Sequence, residues 1–191
     1  MSKVSPDQLS QLQKKAESLI RQGNSQAAID ELDRASEDLM SYPHLYKIKG
    51  VARLLQGNST EARLIFDQLE GCFGDDPEFL NTYGVILRRE RDLSKATEVY
   101  QRGIELSPNE PALLSNYGNL LIDLNKFKEA QTILKKAISI APDHKDARQN
   151  LARLDRCKGQ SHSKLINEDN SQEEQKSQID ANSILISKDE E

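Results

Sequence analysis

The 191-residue chain has no tryptophan, two cysteines, six prolines and no long hydrophobic run. Each shortage removes a class of protein. Cys72 and Cys157 stand far apart and match no metal-ligand spacing, so the expectation is two thiols in a reducing compartment rather than a disulfide framework. Sparse proline and nine glycines exclude collagen-like and Pro-rich chains. The longest apolar stretches are four or five residues, against roughly 20 for a membrane-spanning helix. The start, Met1 to Gln13, is polar, with no apolar core behind Lys3, so no signal peptide is expected. These features predict a soluble, cytoplasmic protein that makes no contact with membrane.

Groups able to carry chemistry are equally scarce. His44, His144 and His162 are scattered, and none sits one helical turn from a second ligand in a pattern suited to zinc. No glycine cluster could cradle a phosphate, and no serine or cysteine lies in the context of an activated nucleophile. The carboxylates are spread over polar stretches. The expectation is a chain that is not an enzyme and needs no cofactor and no metal.

The formal net charge of −5 is unevenly placed. From Gly159 onward eight acids face three lysines, which accounts for the whole of it, and the preceding 158 residues are balanced. A neutral body with an acidic tail offers no electrostatic case for nucleic acid. The tail, 159–191, is rich in Ser, Gln, Asn and acids, and this composition predicts disorder. Ile179 to Ile186 is an apolar exception, either an incidental patch or a short docking motif.

What the chain does have is a period of 34. Ala28, Ala62, Ala96 and Ala130 share one column; Leu32, Phe66, Tyr100 and Leu134 share the next; Ala35, Leu69, Gly103 and Ala137 a third. Earlier in the unit Ala16, Gly50, Gly84 and Gly118 align. No insertion breaks the register across 9–42, 43–76, 77–110 and 111–144. Within a unit apolar residues recur at helical spacing in two blocks. A small residue in the first block lets a second helix approach, and the large residue of the second block fills the gap. Each unit therefore predicts a helix, a tight turn and an antiparallel helix. Asn24, Asn58 and Asp92 fall where they can cap second helices, while Lys126 leaves the fourth cap weak or displaced to Asn125. Pro77 and Pro111 suit first helical positions, and Pro108 and Pro142 stop the helices before them.

This pattern resembles the tetratricopeptide repeat family. Unit three carries it as Leu80, Tyr83-Gly84, Leu87, Ala96, Tyr100, Gly103 and Pro108, and unit four as Leu114, Tyr117-Gly118, Leu121, Ala130, Leu134, Ala137 and Pro142. Units one and two diverge, with Lys15-Ala16 and Lys49-Gly50 for the large–small pair and Met40 and Gly74 for the closing proline. The resemblance implies an all-α, right-handed solenoid of four helix-turn-helix repeats within 1–158. Residues 144–157 read as one more amphipathic helix, capping the last repeat. Asp143 is its expected N-cap, Ala147, Leu151 and Leu154 form its apolar stripe, and Lys145, Arg148, Arg153, Asp155 and Arg156 its charged outer face.

In this family first helices line a groove that holds a protein or peptide partner. By equivalence the groove positions include Gln13, Glu17, Lys47, Val51, Asn81, Val85, Arg88, Ser115, Asn116 and Asn119. Among them Lys47, Asn81, Arg88, Asn116 and Asn119 are the expected partner-binding residues. An amide both donates to and accepts from a peptide backbone; the alternative is ordinary polar surface. Arg88 and Arg89 end a first helix, where they favour its C-terminus or capture an acidic group of a partner. Gln13, Glu17 and Val51 stand where family members that grip a chaperone's terminal carboxylate have Lys or Asn, so no such clamp is expected. The function implied is an adaptor or assembly factor. Two rivals are an accessory domain of an enzyme system, such as a glycosyltransferase or methyltransferase, and a self-associating scaffold, a homo-oligomer whose solenoid ends stack.

Overall fold

The structure is a computed structural model that describes residues 5–35 and 39–159. The expected acidic tail and the Ile179–Ile186 cluster lie outside the described residues. Among those described there are helices and no strand: α1 Pro6–Arg21, α2 Ser25–Ala35, α3 Pro43–Leu55, α4 Ser59–Phe73, α5 Pro77–Arg89, α6 Leu93–Leu106, α7 Pro111–Asp123 and α8 Phe127–Ile140. A ninth, α9, spans 145–159, and a short 3-10 turn, Leu39–Ser41, precedes α3. The all-α repeat solenoid implied by the sequence is the observed architecture. Odd-numbered helices are the first of each pair and even-numbered helices the second. Each first helix packs on the second helix that follows it, each second helix on the next first helix, and first helices also touch one another, as α1 does α3 and α5 does α7.

Local chemistry sets the helix ends. Asn58 accepts a bond from the Glu61 amide at 3.1 Å and Asp92 from the Lys95 amide at 3.2 Å, which satisfies donors the helix itself cannot. Lys126 heads α8 without a side-chain bond. Asp76 and Glu110 cap α5 and α7, each followed by its proline. Two details depart from expectation. The first helix begins at Pro6 because Ser5 and Gln8 form a reciprocal capping box. The α9 cap is His144 rather than Asp143: its Nδ1 accepts the Ala147 amide at 3.2 Å, the three-residue relation that a cap requires.

The turn before each second helix repeats as well. Gly23, Gly57, Arg91 and Asn125 share a column and a left-handed backbone, with φ of 78°, 84°, 64° and 58°. Glycine meets that conformation without strain and asparagine with little, whereas arginine carries the full Cβ penalty.

The interior is built from the small–large columns. A Cβ added to Gly50 would lie 2.8 Å from the Phe66 ring, one on Gly84 2.5 Å from Tyr100, and one on Gly118 2.6 Å from Leu134. Around these contacts one continuous core runs from Leu54 in α3 to Leu154 in α9. A separate cluster of Ala16, Ala28, Leu32, Leu39, Leu45 and Ile48 holds α1 to α3. Phe66 stacks on Phe79 with ring centroids 4.8 Å apart and on Tyr83 at 6.0 Å, tying one pair to the next.

Three substitutions test this packing and turn geometry. Gly84→Ala must displace the Tyr100 ring and loses about 1–3 kcal/mol. In the same chemical-denaturation assay Gly71→Ala gains about 0.5–1 kcal/mol, because nothing lies near the added methyl and helix propensity improves. Relief of the left-handed backbone makes Arg91→Gly more stable by about 0.5–1 kcal/mol, seen as a raised melting temperature.

Candidate functional site

The first helices α1, α3, α5, α7 and α9 supply one face of the stack, and polar side chains join neighbouring units, most of them across 34 or 35 residues. Asn116 Nδ2 donates to Asn81 Oδ1 at 2.9 Å. Asn150 Nδ2 donates to the Ser115 hydroxyl and carbonyl at 3.1 and 3.2 Å. Arg89 Nη1 donates to the Leu54 carbonyl at 3.2 Å, so the last turn of α3 is capped from α5. Lys47 Nζ reaches Asp76 Oδ2 at 3.3 Å and lies 5.0 Å above the centre of the Phe73 ring.

The densest part joins the C-terminal ends of α5 and α7 to α9. Arg88 Nη1 donates to Asp123 Oδ2 at 2.8 Å, and Arg153 Nη2 to Asp123 Oδ1 at 2.6 Å. Arg153 also donates from Nη1 to the Asn119 side-chain oxygen. The Asp123 side chain is 8% exposed, against 23% for Arg88 and 37% for Arg153. Burial opposes ionisation of Asp123, but the hydrogen bonds from Arg153 and Arg88 outweigh it, and the carboxyl is held below its ordinary 3.8. The Tyr100 hydroxyl is buried nearby with no partner; burial pushes its pKa up, while the charges of Arg88 and Asp123 act on it in opposite senses.

Measured against this geometry, the expected residues do not stand as isolated surface groups. Asn81 and Asn116 are joined, and Arg88 and Asn119 belong to the Asp123 cluster through Asp123 and Arg153. Lys47 sits at the α3–α5 junction, apart from them. Arg88 donates to a carboxylate of the next first helix rather than to the carbonyls that end its own helix. Ser115 is fully buried and lines no surface. Gln13 and Glu17 bond to each other at 2.9 Å. Arg153 is not on the outer face of α9: it turns toward α7. Asp123 and Asn150 went unnoticed in the sequence, although extending the 34-residue period one step past the last unit places Arg153 beside Asn119. Among the described residues no group of acids, histidines and cysteines could hold a metal ion, and no helix is long and apolar enough to cross a membrane.

Stacked helix pairs presenting a shared face of first helices define a helical-repeat interaction module, a class that binds protein or peptide partners. The chain belongs to the tetratricopeptide repeat family: residues 14–77 and 87–154 each match a family model described as tetratricopeptide repeat. No curated protein sequence matches it. Solved structures agree on the fold. A tetratricopeptide repeat protein from Parabacteroides merdae superposes with a TM-score of 0.63 at 19% identity, over 79% of this chain and 60% of that one. This chain therefore spans less than two thirds of that relative. PilF of Pseudomonas aeruginosa gives 0.66 at 16% identity, over 76% of this chain and 66% of its own. YrrB, described as a repeat protein with an unusual peptide-binding site, gives 0.60 at 20% identity, over 75% and 74%.

A carboxylate held below its ordinary pKa lends stability that is complete above about pH 4 and is lost as the pH falls through the lowered value. Asp123→Asn is accordingly less stable than wild type by about 1–3 kcal/mol at pH 7, a range that allows for the partial exposure of both arginines. Its denaturation midpoint falls less steeply between neutral pH and the acid limb.

Proposed function

We propose that the chain is an adaptor or assembly factor that holds a segment of a protein partner along its first-helix face and performs no reaction of its own. The observation that carries this is the joined pair Asn81 and Asn116. Their mutual bond uses one N–H of Asn116 and one lone pair of Asn81, and it fixes both amides on neighbouring helices. An amide side chain offers two donors and a carbonyl with two lone pairs. The pair therefore retains both kinds of group for the backbone of an extended peptide, already oriented before the partner arrives. Lys47, Arg88 and Asn119 flank it along the same face, and these five residues are the proposed contacts. That one structural neighbour is described as having a peptide-binding site on this fold supports the reading. Two cysteines outside any disulfide-framework spacing favour a reducing setting, and we place the protein in the cytoplasm.

Affinity capture from cell extract tests the proposal. Wild type retains a partner that an Asn81→Ala, Asn116→Ala variant of equal melting temperature loses, while Leu64→Ser, at an exposed position of a second helix, keeps it. Equal capture by all three proteins contradicts the proposal and moves the site off the first-helix face.

A further inference from the structure

The Asp123 cluster is unbalanced in charge. Arg88 and Arg153 approach one carboxylate from two helices, so the three side chains carry one positive charge in excess. A guanidinium has five N–H donors in a planar fork. Arg88 spends one on Asp123 in a single-point contact, which leaves the rest of its fork able to take a second carboxylate side by side. Arg153 also donates to the Asn119 side-chain oxygen, an acceptor that brings no charge. Arg156, exposed and one turn beyond Arg153 on α9, adds a further positive charge to this end of the stack, and Arg89 closes the last turn of α5 beside Arg88. The Tyr100 hydroxyl, near Arg88 and Asp123, is buried and unpartnered. A structural ion pair alone needs one arginine for one carboxylate; here two converge on it in a half-buried setting, where charge is screened less than at an open surface.

We propose that Arg88 and Arg153, set around Asp123, anchor an aspartate or glutamate side chain of a partner segment laid along the first-helix face. The inference rests on the reading of that face as the binding face and adds the chemistry of the occupant. It also gives α9 a second role. The helix is a wall of the site as well as the end of the stack, because it contributes one of the two guanidiniums. Asp123 acts as an internal placeholder: it holds both arginines in position and competes with the incoming carboxylate for them.

The test uses the full-length protein and a short fluorescein-labelled peptide of alternating glutamate and alanine, with a glutamine-for-glutamate peptide as control, at low ionic strength. Wild type prefers the acidic peptide by about tenfold, the value of one good charge-assisted contact. Arg88→Gln and Arg153→Gln each remove most of that preference, and Arg102→Gln, on the second helix α6, leaves it unchanged. Because losing an arginine could also disturb the fold, Asp123→Asn provides a result of opposite sign. With the internal competitor neutralised, the acidic peptide binds several-fold more tightly once thermal melting has shown the variant folded. Unchanged or weaker binding by Asp123→Asn overturns the anchor, as does failure of wild type to distinguish the peptides or to bind either. Those failures leave the first-helix face itself standing, since capture by the Asn81→Ala, Asn116→Ala variant tests it separately. A preference seen only after the acids beyond residue 159 are replaced by amides in the full chain assigns the anchor to this chain's own acidic segment and overturns the assignment to a partner.

Discussion

The rest of the architecture depends on the close approach of a glycine on a first helix to a large side chain on its second helix. At Gly84 the ring of Tyr100 occupies the space of the missing methyl, and Phe66 and Leu134 do the same at Gly50 and Gly118. Helices that pack this closely must cross at a narrow range of angles. Every pair then has nearly the same shape, and identical pairs joined by equal turns can only stack in one direction. A common face of first helices results from that repetition. The face needs no dedicated segment of its own; it exists because the pairs are alike.

Likeness between pairs also explains how polar groups become a site. Once first helices lie side by side, residues 34 or 35 apart are neighbours, and a side chain on one helix can bond to the next. Asn81 with Asn116, Arg88 with Asp123, and Asn119 with Arg153 are three such bonds in succession. Each costs the entropy of fixing two side chains and returns only a modest gain in stability. They also fix orientation, and in the proposed site amides and guanidiniums that are already held lose less freedom when a partner binds.

The fold was largely legible in the sequence, because the features that set it are steric and periodic. Ala28, Ala62, Ala96 and Ala130 are all fully buried, and the column that precedes them marks the close approaches. The turn column was half legible. Gly23 and Gly57 signal a left-handed residue, but Arg91 adopts the same backbone for reasons of position, with nothing in its own chemistry to announce it. The site was read less completely. Equivalence places Asn81, Arg88, Asn116 and Asn119 on first helices, where they lie, since that depends only on the period. What they bond to depends on side-chain reach between units, which a period does not encode. The sequence pattern puts Arg153 on the outer face of α9, because a two-sided helix pattern cannot say which charged residues near its edge turn back toward α7. His144 displaced Asp143 as cap through a shift of one residue in the helix start, a boundary that local sequence leaves open.

Taken together, the stack of alike pairs, the bonded polar row on its first helices and the surplus guanidinium at α9 are what support the proposal that this face holds a segment of another protein. Amide hydrogen exchange of the full chain with and without a captured partner tests this most directly. The account predicts that the partner slows exchange along α5, α7 and α9 while α6 and α8 exchange as before. Slowed exchange confined to α6 and α8, with the first helices untouched, would contradict it.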